Sequence, residues 1–195
     1  MTGPTFLHEP AESAGQQKMY DDDLTDDGYV WNLSRLWGHQ PEARDALFHL
    51  MGQMVRAAGL TDRQRGILVA SLASAIGDSY CSLAYGRNLT TWADVTVATG
   101  VLSGDDSVLD QDEQALARWA RQLARDPNAT TPEDVQTLRD AGFDDPAILA
   151  LTHFVALRLA FSTVNDALGT QPDTALAEDV APEVRATVTW GRPPG

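Results

Sequence analysis

The chain has a single cysteine, Cys81, so no disulfide can form within it and a disulfide-stapled scaffold is excluded. A lone thiol agrees with a reducing compartment, and a cytoplasmic protein is expected. Basic residues are also scarce: 14 Lys and Arg stand against 28 Asp and Glu, giving a net charge of -14 and a pI near 4.4. A field of that sign repels nucleic acid and anionic membranes, which removes both as expected partners. Part of the excess, Asp21, Asp22, Asp23, Asp26 and Asp27, sits near the N-terminus and reads as a solvated arm rather than a site. No apolar run reaches the about 20 residues needed to cross a bilayer, and the start MTGPTFLHEP lacks a basic region followed by an apolar one. Strand alternation and repeats of fixed period are missing as well. His39 and His49 lack ligand spacing, and Met51 and Met54 read as gap-filling core residues, so neither metal nor cofactor is called for.

What remains is helix. Hydrophobic residues make up 43% and charged residues 22% of 195 positions, enough for one domain with a real core. The expected organisation is a flexible N-terminal arm over 1–18, one helical domain over 19–173 and an exposed C-terminal tail over 174–195. The segment GYVWNLSRLW, Gly28 to Trp37, carries too much aromatic surface for solvent and reads as a short helix packed on the core, or as a contact between subunits. Pro41 opens an amphipathic helix with Leu47, Leu50, Met51, Met54 and Val55 at helical spacing. Thr90 or Thr91 is expected to cap a short segment reaching Val101. Asp110 with Glu113 makes a capping box for a helix whose Arg118, Arg121 and Arg125 read as a solvated flank. Thr131 starts another short helix. The last helix opens at Asp145-Pro146 and stays apolar through Leu168 except at His153, Arg158, Ser162, Thr163, Asn165 and Asp166, so it should cross the middle of the domain, with His153 a hydrogen-bonded core histidine.

The most concentrated stretch is TDRQRGILVASLASAIGDSYCSLAY, Thr61 to Tyr85. Thr61 and Gln64 form a capping box, the run Ile67 to Ile76 is apolar on nearly every face, and Gly77 ends it. Asp78 or Ser79 then caps a second helix with Cys81 in its first turn, where free N–H groups and the macrodipole favour a thiolate.

GDSYCSLAYG resembles the signature of the alkyl hydroperoxidase D-like and carboxymuconolactone decarboxylase families, C-x-x-C-x-x-x-H on the second of two helices with a Glu one helix upstream. Aligned on Tyr80-Cys81, the first cysteine falls at Asp78, the histidine at Tyr85 and the upstream Glu at about Gly66; only the second cysteine is kept. The resemblance covers roughly residues 41–173. It implies an all-α fold with a central helical hairpin, subunits assembled as trimers or hexamers, and a second cysteine that attacks peroxide while the first resolves it and Glu and His relay protons.

Carried onto this chain, the resemblance makes Cys81 the candidate nucleophile, with Asp78 and Tyr85 in the other signature positions. Asp78 cannot resolve a sulfenic acid, and Tyr85, with an ordinary phenol pKa of about 10, is a poor relay at neutral pH. Two-cysteine turnover within one chain is therefore excluded. The activity implied is that of a thiol-dependent peroxidase or antioxidant oxidoreductase using one cysteine, a small hydroperoxide and an external thiol reductant. The alternative is a catalytically silent ligand-binding or interaction protein of the same fold, in which Cys81 is a small buried hydrophobe, Asp78 a helix cap and Tyr85 a packed aromatic. The lyase branch lacks its histidine. Arg158, on an apolar helix, requires a carboxylate if buried; Asp78 and Asp166 are the candidates, either holding helices in register or binding an anionic substrate.

Overall fold

Apolar side chains on every face of the stretch after Thr61 demand partners on every side, and the fold supplies them. The computed structural model describes residues 4–195 and contains, among them, eleven α-helices and no strand. They are α1 (Ala14–Asp26), α2 (Asn32–Trp37), α3 (Pro41–Ala57), α4 (Asp62–Ile76), α5 (Ser79–Trp92), α6 (Val95–Ser103), α7 (Gln111–Arg125), α8 (Pro132–Asp140), α9 (Asp145–Ala167), α10 (Thr174–Asp179) and α11 (Pro182–Thr187). The central hairpin is α4–α5, and α4 packs most extensively on α7 and α5. Leu68, Val69 and Leu72 of α4 enter one apolar cluster with α3, α7 and α9, while Ile67 and Ala70 enter a second with α5, α6 and α11. Such two-sided burial explains why α4 shows no polar stripe.

Local chemistry fixes the helix ends. Thr61 and Gln64 make the reciprocal capping box, as do Thr131 and Asp134. Gly77, at φ 77°, ends α4 in the left-handed conformation that a side chain would disfavour. At Asp110 only half of the expected box forms: its side chain accepts from Glu113 N, but the Glu113 carboxylate turns to Arg63 Nη2 at 2.9 Å. No helix starts at Thr90 or Thr91. Thr90 Oγ1 donates to the Gly86 carbonyl as an interior residue of α5, and Asp94 caps α6 instead.

Four further expectations give way. The N-terminal arm is helical from Ala14, with Gln16 and Met19 buried; its first three residues lie outside those described. The segment 174–195 is no exposed tail, because Leu176 and Val184 are fully buried and Val180 nearly so. A Cβ on Gly86 would stand 2.5 Å from Val184, so α11 sits directly on α5. His153 is exposed on α9, not a core histidine. By length and mean hydropathy, 23 residues and 1.7, α9 does qualify as a membrane span, contrary to the sequence expectation; here it packs against α3, α4, α7 and α8.

Candidate active site

Asp78 begins α5 with extended backbone, and its Oδ1 accepts the Cys81 N–H at 2.8 Å. The carboxylate is therefore a helix cap. It is also fully buried, and Oδ2 has no hydrogen-bond partner among the described residues. Cys81 follows in the first turn, 2% exposed, its sulfur facing α9.

From α9, Arg158 Nη2 donates to Cys81 Sγ at 3.2 Å and Ser162 Oγ donates to the same sulfur at 3.7 Å. Arg158 is buried at 4% exposure, yet no carboxylate lies within 4.0 Å of it among the described residues. The expected pairing with Asp78 or Asp166 is thus replaced by a pairing with sulfur. Its guanidinium stands over the rings of Tyr85 at 5.0 Å and Phe161 at 5.1 Å, and its Nε is unpartnered. Tyr85, at the histidine position, is half-buried and supports the cation rather than reaching the sulfur. Asp166 lies one turn beyond Ser162, so Arg158, Ser162 and Asp166 form one stripe at four-residue spacing.

Burial pushes the Cys81 thiol far above its ordinary value, and the Asp78 charge adds to that; Arg158 and Ser162 oppose it. The thiol is protonated at neutral pH, against the thiolate expected from its place at a helix N-terminus. Burial draws Arg158 down, but Tyr85, Cys81 and Asp78 together outweigh it and the guanidinium stays charged. Asp166 is lifted to about 7 by burial and by Asp78, with Arg192 pulling the other way.

The C-terminal segment covers the first turn of α5. Trp190 Nε1 donates to Ser82 Oγ at 3.2 Å, and Ser79 Oγ donates to the Arg192 carbonyl at 2.8 Å. Between them Gly191, at φ 72°, approaches so closely that a Cβ there would be 2.7 Å from the Gly77 carbonyl and from Ser79. At Gly66, the position of the family glutamate, a Cβ would meet Leu89 at 2.7 Å and Trp92 at 3.1 Å; α4 and α5 are too close there to admit a carboxylate. Asp166 was expected only as a partner of Arg158 and Ser162 only as a polar break in α9, although their four-residue spacing from Arg158 was visible.

An all-helical chain with a buried α4–α5 hairpin and a cysteine at the start of the second helix superposes on several solved proteins. A peroxidase-related protein from Ralstonia eutropha JMP134, described as an alkylhydroperoxidase AhpD core, matches with a TM-score of 0.78 over 88% of this chain and 94% of its own, at 19% identity. The chain has the AhpD-like fold. A second peroxidase-related protein, from Silicibacter sp. TM1040, matches at TM-score 0.76 and 19% identity over 88% and 93% of the two chains. The debrominase Bmp8 matches at TM-score 0.72 and 14% identity over 91% and 97%, and its cysteine-to-alanine variant in complex with 2,3,4-tribromopyrrole at TM-score 0.69. No protein-family model matches the sequence, and no curated protein matches it significantly. The AhpD-like fold thus carries more than one activity.

Proposed function

We propose that this AhpD-like protein is a single-cysteine thiol oxidoreductase in which Cys81 reduces a small hydroperoxide and an external thiol regenerates it. The observation that carries this reading is the buried Arg158 guanidinium aimed at Sγ. A buried cation without a carboxylate is costly, and a thiolate is the anion that would offset it. In the reaction Sγ, as thiolate, forms a bond to one peroxide oxygen while the O–O bond breaks. The departing alkoxide takes a proton to become an alcohol, leaving Cys81 as sulfenic acid. An external thiol condenses with it, releasing water and forming a mixed disulfide; a second thiol reduces that disulfide and restores the Cys81 thiol. Arg158 and Ser162 hold the sulfur anion. Asp166, titrating near neutrality one turn away, exchanges the proton.

A second reading, a silent ligand-binding or interaction protein of the same fold, is favoured by the near-complete burial of the sulfur. Peroxide consumption with dithiothreitol separates them: the enzyme reading expects turnover that disappears in Cys81→Ser, and equal rates for both proteins would end it. The AhpD-like neighbours, peroxidase-related proteins and a debrominase, support a reactive-cysteine role, and the lyase branch has little support with Tyr85 at its histidine position. A homo-oligomer, trimer or hexamer, goes with this reading. Leu149, 71% exposed, and Phe48, 38% exposed, are apolar surface that assembly would cover. Light scattering at one subunit mass would remove that part.

A further inference from the structure

Among the described residues of this acidic chain, one concavity is lined by several arginines, and Cys81 is not part of its lining. A groove of about 610 Å³ runs between the ends of α4 and α6, one face of α7, α8 and Trp190. Arg118, Arg121 and Arg125 all line it, three of the 14 basic residues in a chain of net charge -14. Their commitments differ. Arg121 Nη1 is held by both oxygens of Asp106 at 2.8 Å, and its Nη2 by the Val101 carbonyl at 2.9 Å. Arg118 is engaged only through Nε, which donates to the Gln114 carbonyl at 3.2 Å, and Arg125 has no hydrogen bond or ion pair among the described residues. Asp134, the acid on the lining, is occupied as the α8 cap, with Oδ2 accepting from Thr131 N at 2.8 Å and Thr131 Oγ1 at 2.9 Å.

The two indoles of the groove have their N–H groups satisfied elsewhere: Trp119 donates to Thr152 at 3.1 Å and Trp190 to Ser82 at 3.2 Å. With their donors occupied they offer the groove no N–H, and the half-buried Trp190 has more ring surface to give than Trp119, which is 7% exposed. Arg118 and Arg125 stand two turns apart on α7, about 10 Å along its axis. The volume is in the range of sites for small organic ligands, about 300–1,000 Å³.

We infer that this groove is a binding site for a planar aromatic dicarboxylate, with its rings against Trp190 and one carboxylate on each of the Arg118 and Arg125 guanidinium groups, whose terminal nitrogens are without partners among the described residues and where bidentate pairing suits the shape of arginine. The inference stands on the α7 groove and is independent of Cys81 reactivity. Of the three arginines read as a solvated flank, Arg118 and Arg125 are exposed, while Arg121 is buried and held by Asp106 and Val101.

Calorimetric titration of the full chain with naphthalene-2,6-dicarboxylate tests it. One site per chain is expected, with Kd below about 1 mM at low salt and weakening as salt is added. Loss of one guanidinium should weaken binding about tenfold in Arg118→Gln and again in Arg125→Gln, whereas Arg56→Gln, an exposed arginine on α3, leaves it unchanged. 2-Naphthoate should bind about tenfold more weakly, and inorganic phosphate, which has charge but no ring, more weakly still. No binding of the dicarboxylate by about 1 mM, equal affinity in both groove variants and wild type, or an equal loss in Arg56→Gln would each overturn the assignment. Arg118 and Arg125 are exposed, whereas Arg121 is buried and is left unchanged in the test; circular dichroism of the variants separates lost binding from lost folding.

Discussion

Asp78→Asn separates two roles held by one side chain. Asn is as good a helix cap as Asp, so its amide oxygen keeps the bond from the Cys81 N–H and the start of α5 should be preserved. What disappears is the negative charge that, after burial, is the main reason the Cys81 thiol holds its proton. For charges a few ångströms apart, as this cap bond requires, and an effective dielectric of about 20, that charge disfavours the thiolate by about 3 kcal/mol. Its removal should raise the thiolate population about a hundredfold at any pH below the thiol's own titration. Nucleophilicity falls as basicity falls, with a Brønsted coefficient of about 0.4–0.5, and this takes back about tenfold, so the net gain in reaction rate is about tenfold. Thiolate ultraviolet absorbance followed against pH measures the first quantity without needing a reagent to reach the sulfur, and native alkylation measures the second. Melting temperature reports the balance between relief of a buried, partly unpartnered carboxylate and loss of the anion that Asp78 supplies near Arg158. Superimposable absorbance titrations in the two proteins would refute the argument, because the Asp78 charge would then not be what holds the proton.

Other outcomes follow from the same groups. The folded-state pKa of Cys81 is raised above its ordinary 9.0, so the folded form holds a proton that the unfolded form loses; the stability this gives is complete below pH 9 and is lost as pH rises further, by up to about 1.4 kcal/mol per pH unit. Cys81→Ala should lack that loss, and parallel urea stability curves for the two proteins between pH 9 and 10 would refute it. Asp166, raised from 3.8 to about 7, favours the folded state fully below pH 3.8 and ceases to do so as pH rises through 7. Asp166→Asn should therefore melt higher than wild type at pH 8, by no more than the equivalent of about 1 kcal/mol because the group is half exposed, with a gap that closes toward pH 4; a gap independent of pH would count against it. Gly191→Ala places a Cβ 2.7 Å from the Gly77 carbonyl, so the C-terminal segment must lift from α5 and native alkylation of Cys81 should accelerate; an unchanged rate would show that the segment does not limit access.

The helical hairpin was legible because caps are local: Thr61 and Gln64, Gly77, and Asp78 at the start of α5 each act within a few residues. Where a distant residue competes, local reading fails. Glu113 had the spacing of a capping box, but Arg63, fifty positions away, offered it a charged partner. Thr90 had the chemistry of a cap, but the packing of Leu89 and Trp92 on Gly66 carries α5 through it. The C-terminal segment was misread for a different reason. Its helices span six residues each, too short to show a period, although Leu176, Val180 and Val184, at four-residue spacing, are the buried face.

The candidate site was half legible. Cys81 and its cap could be located from sequence, whereas the cation on the sulfur could not, since nothing local distinguishes an arginine that will meet a carboxylate from one that will meet a thiol. That exchange constrains any reaction at Cys81. A histidine at the position of Tyr85 could both stabilise an anion and pass a proton; an arginine does only the first, because it does not release its proton in proteins. Arg158 standing in for histidine therefore splits one residue's work into two, and the proton must move through another group. On α9 the stripe that begins with Arg158 and Ser162 ends in Asp166, the carboxyl that burial and Asp78 bring to about 7. In the proposed reaction, loss of Arg158 should abolish turnover at every pH, whereas loss of Asp166 should flatten the pH dependence near neutrality and spare part of the rate. A pH profile of peroxide consumption that is the same in Asp166→Asn and wild type would leave the proton without a carrier and would sink this division of labour.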